Sequence, residues 1–236
     1  MKYIVSFSGG KDSTAMLLML LEKGWPVDRI ISVDTTKQFP EMNDHIKKVQ
    51  LMVEPIKIEI VKIDFDYWFG EKKIEQGNNK ERKGYGWPVM PNRWCTGKKI
   101  QAMRRLISKN DVEYIGIASD ETKRTQRDYI NKQNVRFPLV DWEITEKQAL
   151  EYCYSKGLYW NGLYEKFSRV GCWCCPMARM AELKILYNNF PELWGELREM
   201  DKKTYKPFKN GYSIQDLEQR FAFEDMQIEM FESVEV

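Results

Sequence analysis

The chain has 236 residues, enough for one large domain or for a core domain with a smaller appendage, and it can bury a sizeable core without disulfides. Its 37 basic and 35 acidic residues give a formal charge of +2, which predicts neither general nucleic-acid affinity nor membrane attraction. A local basic patch is compatible with this balance, and residues 71–99 are the candidate segment. The longest apolar run, at 15–21, is too short to span a bilayer, and no signal-peptide pattern is present. We therefore expect a cytoplasmic protein without membrane contact.

Short apolar runs alternate with helical patterns through the first two thirds of the chain. Residues 13–23 are apolar nearly all round, which predicts a buried helix, and Gly24 and Pro26 end it. Strands that alternate with helices favour a parallel sheet with right-handed crossover connections, so we predict an α/β, Rossmann-like core. The predicted strands are 3–7, 29–34, 56–63, 113–118 and an edge strand at 136–142, and the predicted helices are 13–23, 40–52, 98–108 and 145–156.

After Pro176 the pattern is helical and amphipathic as far as about Phe223. It predicts a helical C-terminal subdomain at 176–236, which follows a nucleotide-binding domain at 1–175. The same amphipathic region is a candidate homodimer interface. Residues 70–93 interrupt the alternation with glycines and charges, and we interpret them either as a mobile loop over the active site or as a plain solvated loop.

A glycine-rich hexapeptide separates the first predicted strand from the first predicted helix. Its residues are Ser8, Gly9, Gly10, Lys11, Asp12 and Ser13. The two glycines let the backbone turn sharply and point N–H groups at an anion, and the helix N-terminus adds favourable potential for phosphate. Lys11 adds a positive charge, the serines can donate hydrogen bonds, and Asp12 can place Mg²⁺ or orient the loop. The spacing is not that of a Walker A loop. We predict that this loop binds the phosphates of ATP or a related adenylyl nucleotide, with Lys11 and Asp12 as catalytic residues.

This hexapeptide resembles the pyrophosphate loop of the N-type ATP pyrophosphatases, whose fold is adenine nucleotide alpha-hydrolase-like. Within that superfamily the chain resembles the phosphoadenosine phosphosulfate reductase family over residues 2–177. The order of the matching segments along the chain is more specific than any single segment. In that order they are Asp34-Thr35 with Phe39-Pro40-Glu41, Arg93-Trp94-Cys95-Thr96 with Lys98-Lys99, Gly116 with Asp120-Glu121 and Arg124, then 138–142, 161–164 and Gly171-Cys172.

The resemblance implies the position of an adenine nucleotide. Asp34 and Thr35 are expected near the adenosine, and Lys98 and Arg124 near phosphate or sulfate, since arginine offers a planar bidentate donor. The implied ligand is ATP with Mg²⁺, or a sulfonucleotide. Ala118 departs from the family pattern, which often has an arginine at that position.

Four of the five cysteines are candidate metal ligands, namely Cys95, Cys172, Cys174 and Cys175. Cys172 and Cys175 form a Cys-x-x-Cys pair with Cys174 inside it, and the resemblance places Cys95 on the same face of the domain. Four thiolates can hold a 4Fe-4S cluster or a tetrahedral Zn²⁺, and reactive or buried free thiols are the third possibility. Cys174 is also the candidate catalytic nucleophile. Cys153, in the middle of a predicted helix, is interpreted as a buried free cysteine, and His45 as an exposed helix residue.

Two enzyme functions and one binding function agree with these features. In the first, ATP adenylates an acceptor, pyrophosphate leaves, and a sulfur nucleophile displaces AMP. In the second, the protein reduces a sulfonucleotide, and in the third it is a non-catalytic nucleotide-binding module with structural zinc. The lysine-containing loop resembles members that split ATP, and no cysteine follows Cys175, whereas the reductases carry a catalytic cysteine in a C-terminal tail. We therefore predict the first, with a nucleic acid or a small molecule as acceptor and a sulfur donor or reductant protein as partner.

Overall fold

The structure, a computed structural model, describes residues 1–75, 82–90, 92–127 and 134–232, with side chains as far as residue 227. The chain divides into two compact units, Met1–Ile63 with Cys95–Cys172 and Asp64–Trp94 with Trp173–Val236. The second unit thus includes residues 64–94, which lie within the predicted nucleotide-binding domain 1–175. The domain boundary after residue 175 stays a prediction. No helix in the described ranges is long and apolar enough to cross a bilayer.

The first unit is built on a sheet of parallel strands. They are β1 (Tyr3–Ser6), β2 (Arg29–Asp34), β3 (Ile58–Lys62), β4 (Val112–Ile115) and β5 (Val135–Arg136). Their order is β3-β2-β1-β4-β5, and every pairing is parallel. The predicted α/β, Rossmann-like fold class is confirmed. In this order the chain winds outward from β1 to β3 and then crosses to the other side at β4, so β1 and β4 flank the switch point where ligands of doubly wound sheets bind.

The helices of this unit follow the predicted alternation. They are α1 (Lys11–Glu22), α2 (Pro40–Met52), α3 (Trp94–Leu106, whose first residue belongs to the second unit), α4 (Pro138–Asp141), α5 (Glu146–Ser155) and α6 (Leu163–Lys166). Ala15, Leu17 and Leu20 of α1 are fully buried, and the helix packs against α5. The predicted edge strand is wrong after Arg136, because Pro138 begins a helix. Proline has no N–H for a strand ladder, but its fixed φ suits the first helical turn.

The second unit contains a π-helical turn, Tyr67–Glu71, and the helices α7 (Met180–Asn189), α8 (Pro191–Asp201) and α9 (Ile214–Glu232). The helical pattern predicted after Pro176 is therefore confirmed. Trp87 is fully buried, its indole N–H donates to Asp201 Oδ1 over 2.7 Å, and its ring packs edge-on against Phe208. The described part of segment 70–93 is therefore not a plain solvated loop, while residues 76–81 and 91 lie outside the described residues.

Candidate functional site

The hexapeptide forms a tight turn between β1 and α1. Gly9 has a φ of 74°, which favours glycine, and a Cβ there would lie 3.0 Å from Met42 Cε. Ser13 closes the turn, since its Oγ accepts the Ser8 N–H over 3.1 Å and donates to Gly10 O over 3.0 Å. Helix α1 begins directly at Lys11, so its first N–H groups lie in the turn. The loop has the backbone geometry expected of an anion cradle.

The end of β4 approaches this loop through Gly116. A Cβ on Gly116 would lie 2.8 Å from both Cα and N of Ser13, which is closer than non-bonded atoms approach. Only glycine allows this backbone approach. Gly116 thus brings the end of β4 against the first turn of α1, at the switch point of the sheet.

The Lys11 ammonium group is held by two carboxylates. Its Nζ lies 2.9 Å from Glu146 Oε2 and 3.3 Å from Asp12 Oδ2, and the Lys11 side chain is only 7% exposed. Burial raises the pKa of Asp12 above its ordinary value, although Lys11 opposes the rise. Burial would also raise the pKa of Glu146, but the hydrogen bond and charge of Lys11 hold it below its ordinary value. Glu146 therefore stays ionised as the counter-charge of Lys11.

Three carboxylates converge beside Lys11. One ligand oxygen from each of Asp12, Glu121 and Glu146 lies within 4.8 Å of the others, and Asp12 Oδ1 is buried with no hydrogen-bond partner in the described structure. Mg²⁺ prefers carboxylate oxygens and usually combines one or two of them with substrate phosphates. The residues present thus fit Mg²⁺. Arg124, predicted to contact the nucleotide, pairs with Glu121.

Glu146 was not among the site residues predicted from the sequence. A signal was available, because Thr145 and Gln148 form a capping box that places Glu146 in the first turn of α5. Asp120 further fixes this turn, since its Oδ1 accepts the Glu146 N–H over 3.1 Å. What the sequence could not indicate is that this turn faces Lys11, 135 residues earlier in the chain.

Residues 160–164 hold the phosphate loop in place through two hydrogen bonds to its backbone, and we call this contact the brace. The Trp160 indole N–H donates to Gly9 O over 2.8 Å, and Tyr164 Oη accepts the Lys11 N–H over 2.8 Å. Three successive residues, Trp160, Asn161 and Gly162, have left-handed φ values of 48°, 49° and 82°. Such values are costly for tryptophan, so this turn persists only because the packing around it requires it.

His45 completes the brace, and its prediction as an exposed residue is wrong. It is buried, stacks on the Trp160 ring with centroids 4.1 Å apart, and is hydrogen-bonded to Thr14 over 3.0 Å. Burial lowers the pKa of His45 to about 3, so the ring is neutral in the folded protein near neutral pH.

A cavity of about 670 Å³ in the first unit adjoins the loop, between the sheet and α3. Ser6, Phe7 and Ser8 line its end at the loop, and apolar residues of β2 and α3 line its walls. Inside it, the Ser6 hydroxyl donates to Glu113 Oε1 over 2.6 Å. Lys99 of α3 lines the cavity. The preceding residue, Lys98, which was the predicted phosphate contact, is not one of the residues that line it. The volume and the apolar walls suit a nucleoside.

Cys172 lies at the end of β2, beside the predicted nucleotide residues. Its Sγ is 3.0 Å from Thr35 Oγ1, and its backbone forms an antiparallel bridge with Gln38. Asp34, the last residue of β2, accepts the Thr36 N–H over 2.7 Å. The nucleotide motif Asp34-Thr35 and the first cysteine of Cys-x-x-Cys therefore share one local structure.

The other cysteines have distinct environments. Cys95 lies in the first turn of α3 and is partly exposed, Cys174 is only 1% exposed, and Cys175 is partly exposed. Cys95 and Cys172 belong to the first unit, and Cys174 and Cys175 to the second. Four thiols with a Cys-x-x-Cys pair are a soft donor set that fits an iron–sulfur cluster or zinc. Cys153 is buried, as predicted, and burial raises its pKa to about 12, so it is inert.

A family model described as "Phosphoadenosine phosphosulfate reductase domain" matches residues 2–178. The chain belongs to this family. The predicted family is therefore confirmed, and the loop, the Asp34-Thr35 motif, Gly116 and the Cys-x-x-Cys pair all lie within the matched part. Since the family model ends three residues after Cys175, most of the helical region beyond it lies outside the match.

The chain is similar to an uncharacterized protein of Methanocaldococcus jannaschii, with 31% identity over 219 residues that cover 85% of this chain and 42% of that protein. A second uncharacterized protein of this archaeon is 27% identical, over 84% of this chain and 47% of that protein. The chain thus spans less than half the length of these relatives. Adenosine 5′-phosphosulfate reductase of Bacillus mycoides is 24% identical over 172 residues, which cover 69% of this chain and 68% of the reductase.

Among solved structures, the U34-tRNA thiolase NcsA from Methanococcus maripaludis with its 4Fe-4S cluster is similar over 86% of this chain and 71% of that chain. The sequence identity is 16% and the TM-score is 0.45.

Proposed function

We propose that this protein is an ATP-dependent sulfur-transfer enzyme that adenylates an acceptor and releases pyrophosphate. The observation that supports this most directly is the Lys11 ammonium group at the N-terminus of α1, held between Asp12 and Glu146 beside a glycine turn. A cation and a row of N–H groups at one helix end suit a polyphosphate. The carboxylates suit the Mg²⁺ that accompanies ATP.

In the proposed complex, the Ser8 hydroxyl and loop N–H groups other than those of Ser8 and Lys11, which already bind Ser13 and Tyr164, donate to phosphate oxygens. The Lys11 ammonium group stabilises the negative charge that develops on the departing pyrophosphate. Asp12, Glu121 and Glu146 would hold Mg²⁺, which would neutralise the remaining phosphate charge. The adenosine would occupy the cavity beside Ser6 and Ser8, with Asp34 and Thr35 at the end of β2.

The proposed reaction has two displacements. An oxygen of the acceptor attacks the α-phosphorus, the bond from that phosphorus to the bridging oxygen breaks, and pyrophosphate leaves with the electron pair. A sulfur nucleophile at the sulfide level then attacks the acceptor carbon. Its C–O bond breaks, and AMP leaves with the former acceptor oxygen, so the acceptor exchanges oxygen for sulfur without net oxidation or reduction.

Cys95, Cys172, Cys174 and Cys175 would hold a 4Fe-4S cluster, with Zn²⁺ as the alternative. A 4Fe-4S cluster held by all four thiolates would supply one-electron chemistry, and one held by three of them would in addition leave one iron open to sulfide. The Thr35 hydroxyl fixes the Cys172 sulfur at the end of β2, close to the proposed adenosine position. If Cys174 is not a ligand, its thiol is the candidate nucleophile or sulfur carrier. A separate sulfur donor or reductant and a possible homodimer stay predictions.

The test is an assay of protein purified without oxygen. Iron, zinc and acid-labile sulfide are measured first, and about four irons and four sulfides per chain are expected. The protein is then incubated with ATP, Mg²⁺, sulfide and a series of acceptors, and AMP, pyrophosphate and sulfur incorporation are quantified. The proposal requires AMP and pyrophosphate in equal amounts, dependent on an acceptor. Stoichiometric zinc without AMP formation would instead support a nucleotide-binding module with structural zinc.

A sulfonucleotide reductase is the second candidate, favoured by the similarity to the reductase of Bacillus mycoides. In that reaction two thiols are oxidised to a disulfide, and adenosine 5′-phosphosulfate is reduced to sulfite and AMP. Incubation with adenosine 5′-phosphosulfate and a dithiol reductant, without ATP, tests it directly. Sulfite formation under these conditions would support the reductase and contradict the sulfur-transfer proposal.

A further inference from the structure

Two segments of the second unit that contact each other are rich in cationic side chains. The first consists of two stretches that meet in an antiparallel bridge between Lys73 and Lys83, and the second is the loop that follows α8. We call this group of side chains the basic surface, and its members are Lys72, Lys73, Arg82, Lys83, Lys202, Lys203 and Lys206. Residues 202–209 contain four lysines and no acidic residue, although the helices on either side are rich in glutamate and aspartate.

The two parts of the basic surface are in direct contact. The Arg82 guanidinium carbon lies 4.2 Å from the centroid of the Tyr205 ring, and Lys206 Nζ lies 5.7 Å from the same centroid. Lys206 Nζ also donates to Tyr85 O over 2.8 Å. A Cβ on Gly86 would lie 2.4 Å from Thr204 Oγ1, so the loop packs tightly against the stretch that carries Arg82. The cations are thus presented by an ordered contact.

These cations are poorly neutralised. Within the described residues, Lys73, Arg82, Lys83, Lys203 and Lys206 have no carboxylate within 4.0 Å, and Lys72 and Lys202 have only the glutamates three positions away on their own segments. By contrast, Lys184, Arg198 and Arg220 of the same unit all bind carboxylates of α9. Burial and the charge of Arg82 together lower the pKa of Lys206, which agrees with uncompensated positive charge.

We propose that the basic surface binds the phosphate backbone of a nucleic acid, which is the acceptor of the sulfur-transfer reaction. This rests on the proposed function and names its acceptor class. Lysines and an arginine that mostly lack acidic partners among the described residues, carried by two contacting segments, are the expected footprint of a phosphodiester chain. Tyr205, which is 41% exposed, and Tyr67, also exposed, lie in this unit and offer rings for base stacking.

The test measures binding separately from catalysis. A fluorescein-labelled, mixed-sequence single-stranded RNA of about 20 nucleotides is titrated with the full chain in fluorescence anisotropy, without ATP, over a range of salt concentrations. The double variant Lys83→Gln/Lys203→Gln removes two exposed charges. We expect its affinity to fall roughly tenfold and its salt slope to decrease by about 1.4, because each lost phosphate contact removes about 0.7.

The matched control is Lys47→Gln/Lys147→Gln, which lowers the net charge equally at two exposed lysines of the first unit. It should bind RNA like the wild-type chain. Equal losses in both double variants, no RNA binding, or stronger binding to vesicles with about 30% phosphatidylserine would each overturn the proposal. AMP formation on a small acceptor without RNA binding would overturn only the proposal that the basic surface binds a nucleic acid. RNA binding at this surface without AMP formation would instead overturn the proposed function.

Discussion

The hydroxyl group of Thr35 lies 3.0 Å from the sulfur of Cys172, although 137 residues separate them in the chain. Thr35 follows the last residue of β2, and the Gln38–Cys172 bridge holds the same two segments together through their backbones. A residue from the predicted nucleotide motif therefore controls the surroundings of a candidate metal ligand. Either atom can donate in this contact while the sulfur is a thiol, whereas only the Thr35 hydroxyl can donate when Cys172 binds a metal as a thiolate, so Thr35 bears on the ligand role of Cys172.

Thr35→Val removes the hydroxyl and keeps the shape of the side chain. We expect the alkylation of Cys172 by iodoacetamide at neutral pH to slow about 3- to 10-fold, because iodoacetamide reacts with the thiolate form and the variant lacks the hydroxyl that can donate to it. The measurement uses metal-free protein in which Cys95, Cys174 and Cys175 are replaced by serine. Thr35→Ser keeps the hydroxyl and should react at nearly the parent rate. Equal rates for the valine and serine variants would show that this contact has no effect on the sulfur.

Lys11→Met removes the ammonium group and keeps an unbranched side chain. We expect AMP formation to fall at least about 100-fold, since a donor aimed at developing charge is lost. AMP is quantified by chromatography with a fixed acceptor. The control is Lys147→Met, at an exposed lysine of α5, which should leave the rate unchanged. Retention of most activity by Lys11→Met would remove the loop from the proposed mechanism.

Glu146→Gln keeps the size of the side chain but removes one charge from the three carboxylates beside Lys11. We expect the Mg²⁺ concentration for half-maximal AMP formation to rise about tenfold, because one carboxylate ligand is weakened. The matched control, Glu151→Gln, changes an exposed glutamate on the same helix whose ion pair with Lys147 is worth little. An unchanged Mg²⁺ dependence in Glu146→Gln would exclude Glu146 as a ligand.

Tyr164→Phe leaves the Lys11 N–H without its acceptor. We expect the free energy of unfolding to fall by about 1–3 kcal/mol, the cost of an unsatisfied buried donor, measured by urea denaturation. Tyr159→Phe, at a side chain that is 53% exposed, should change it by less than about 0.5 kcal/mol. Similar results for both variants would mean that the Tyr164 hydroxyl does not brace the loop.

The chain has a single histidine, so its titration is directly observable. Burial lowers the pKa of His45 to about 3 from an ordinary value of 6.5, so between these pH values the unfolded chain binds a proton that the folded chain does not. The contribution of His45 to stability therefore falls as the pH drops below 6.5, by up to about 1.4 kcal/mol per pH unit. His45→Gln should remove this dependence in urea denaturation. A ring titration near pH 6, seen by NMR, would contradict the burial of His45.

Local signals predicted much of the fold and part of the candidate site. The glycine pair before an apolar helix places the phosphate loop, because both its turn and its helix depend on adjacent residues. The alternation of strands and helices predicted the parallel sheet, because each of these elements also depends on a local sequence pattern. The predicted edge strand failed at Pro138, whose missing N–H outweighs the β-like residues around it.

Long-range contacts are what the sequence could not supply. Met42, His45, Ile46 and Val49 lie on the buried face of α2 at helical spacing, so the burial of His45 was readable from the pattern. Its partners Thr14 and Trp160 were not, since they belong to distant segments. The same holds for Glu146 and Tyr164, whose contacts with Lys11 exist only in the folded first unit.

The brace around the loop has a consequence for how the site comes into existence. During synthesis the six loop residues emerge before Trp160 and Tyr164, which fix Gly9 and Lys11 and follow about 150 residues later. A nascent chain that does not yet contain Trp160 and Tyr164 has all six residues of the phosphate loop but lacks the hydrogen bonds that hold the loop in its folded geometry. A nucleotide that binds only the finished cradle stabilises those chains alone, so cellular ATP would favour the molecules whose first unit has closed.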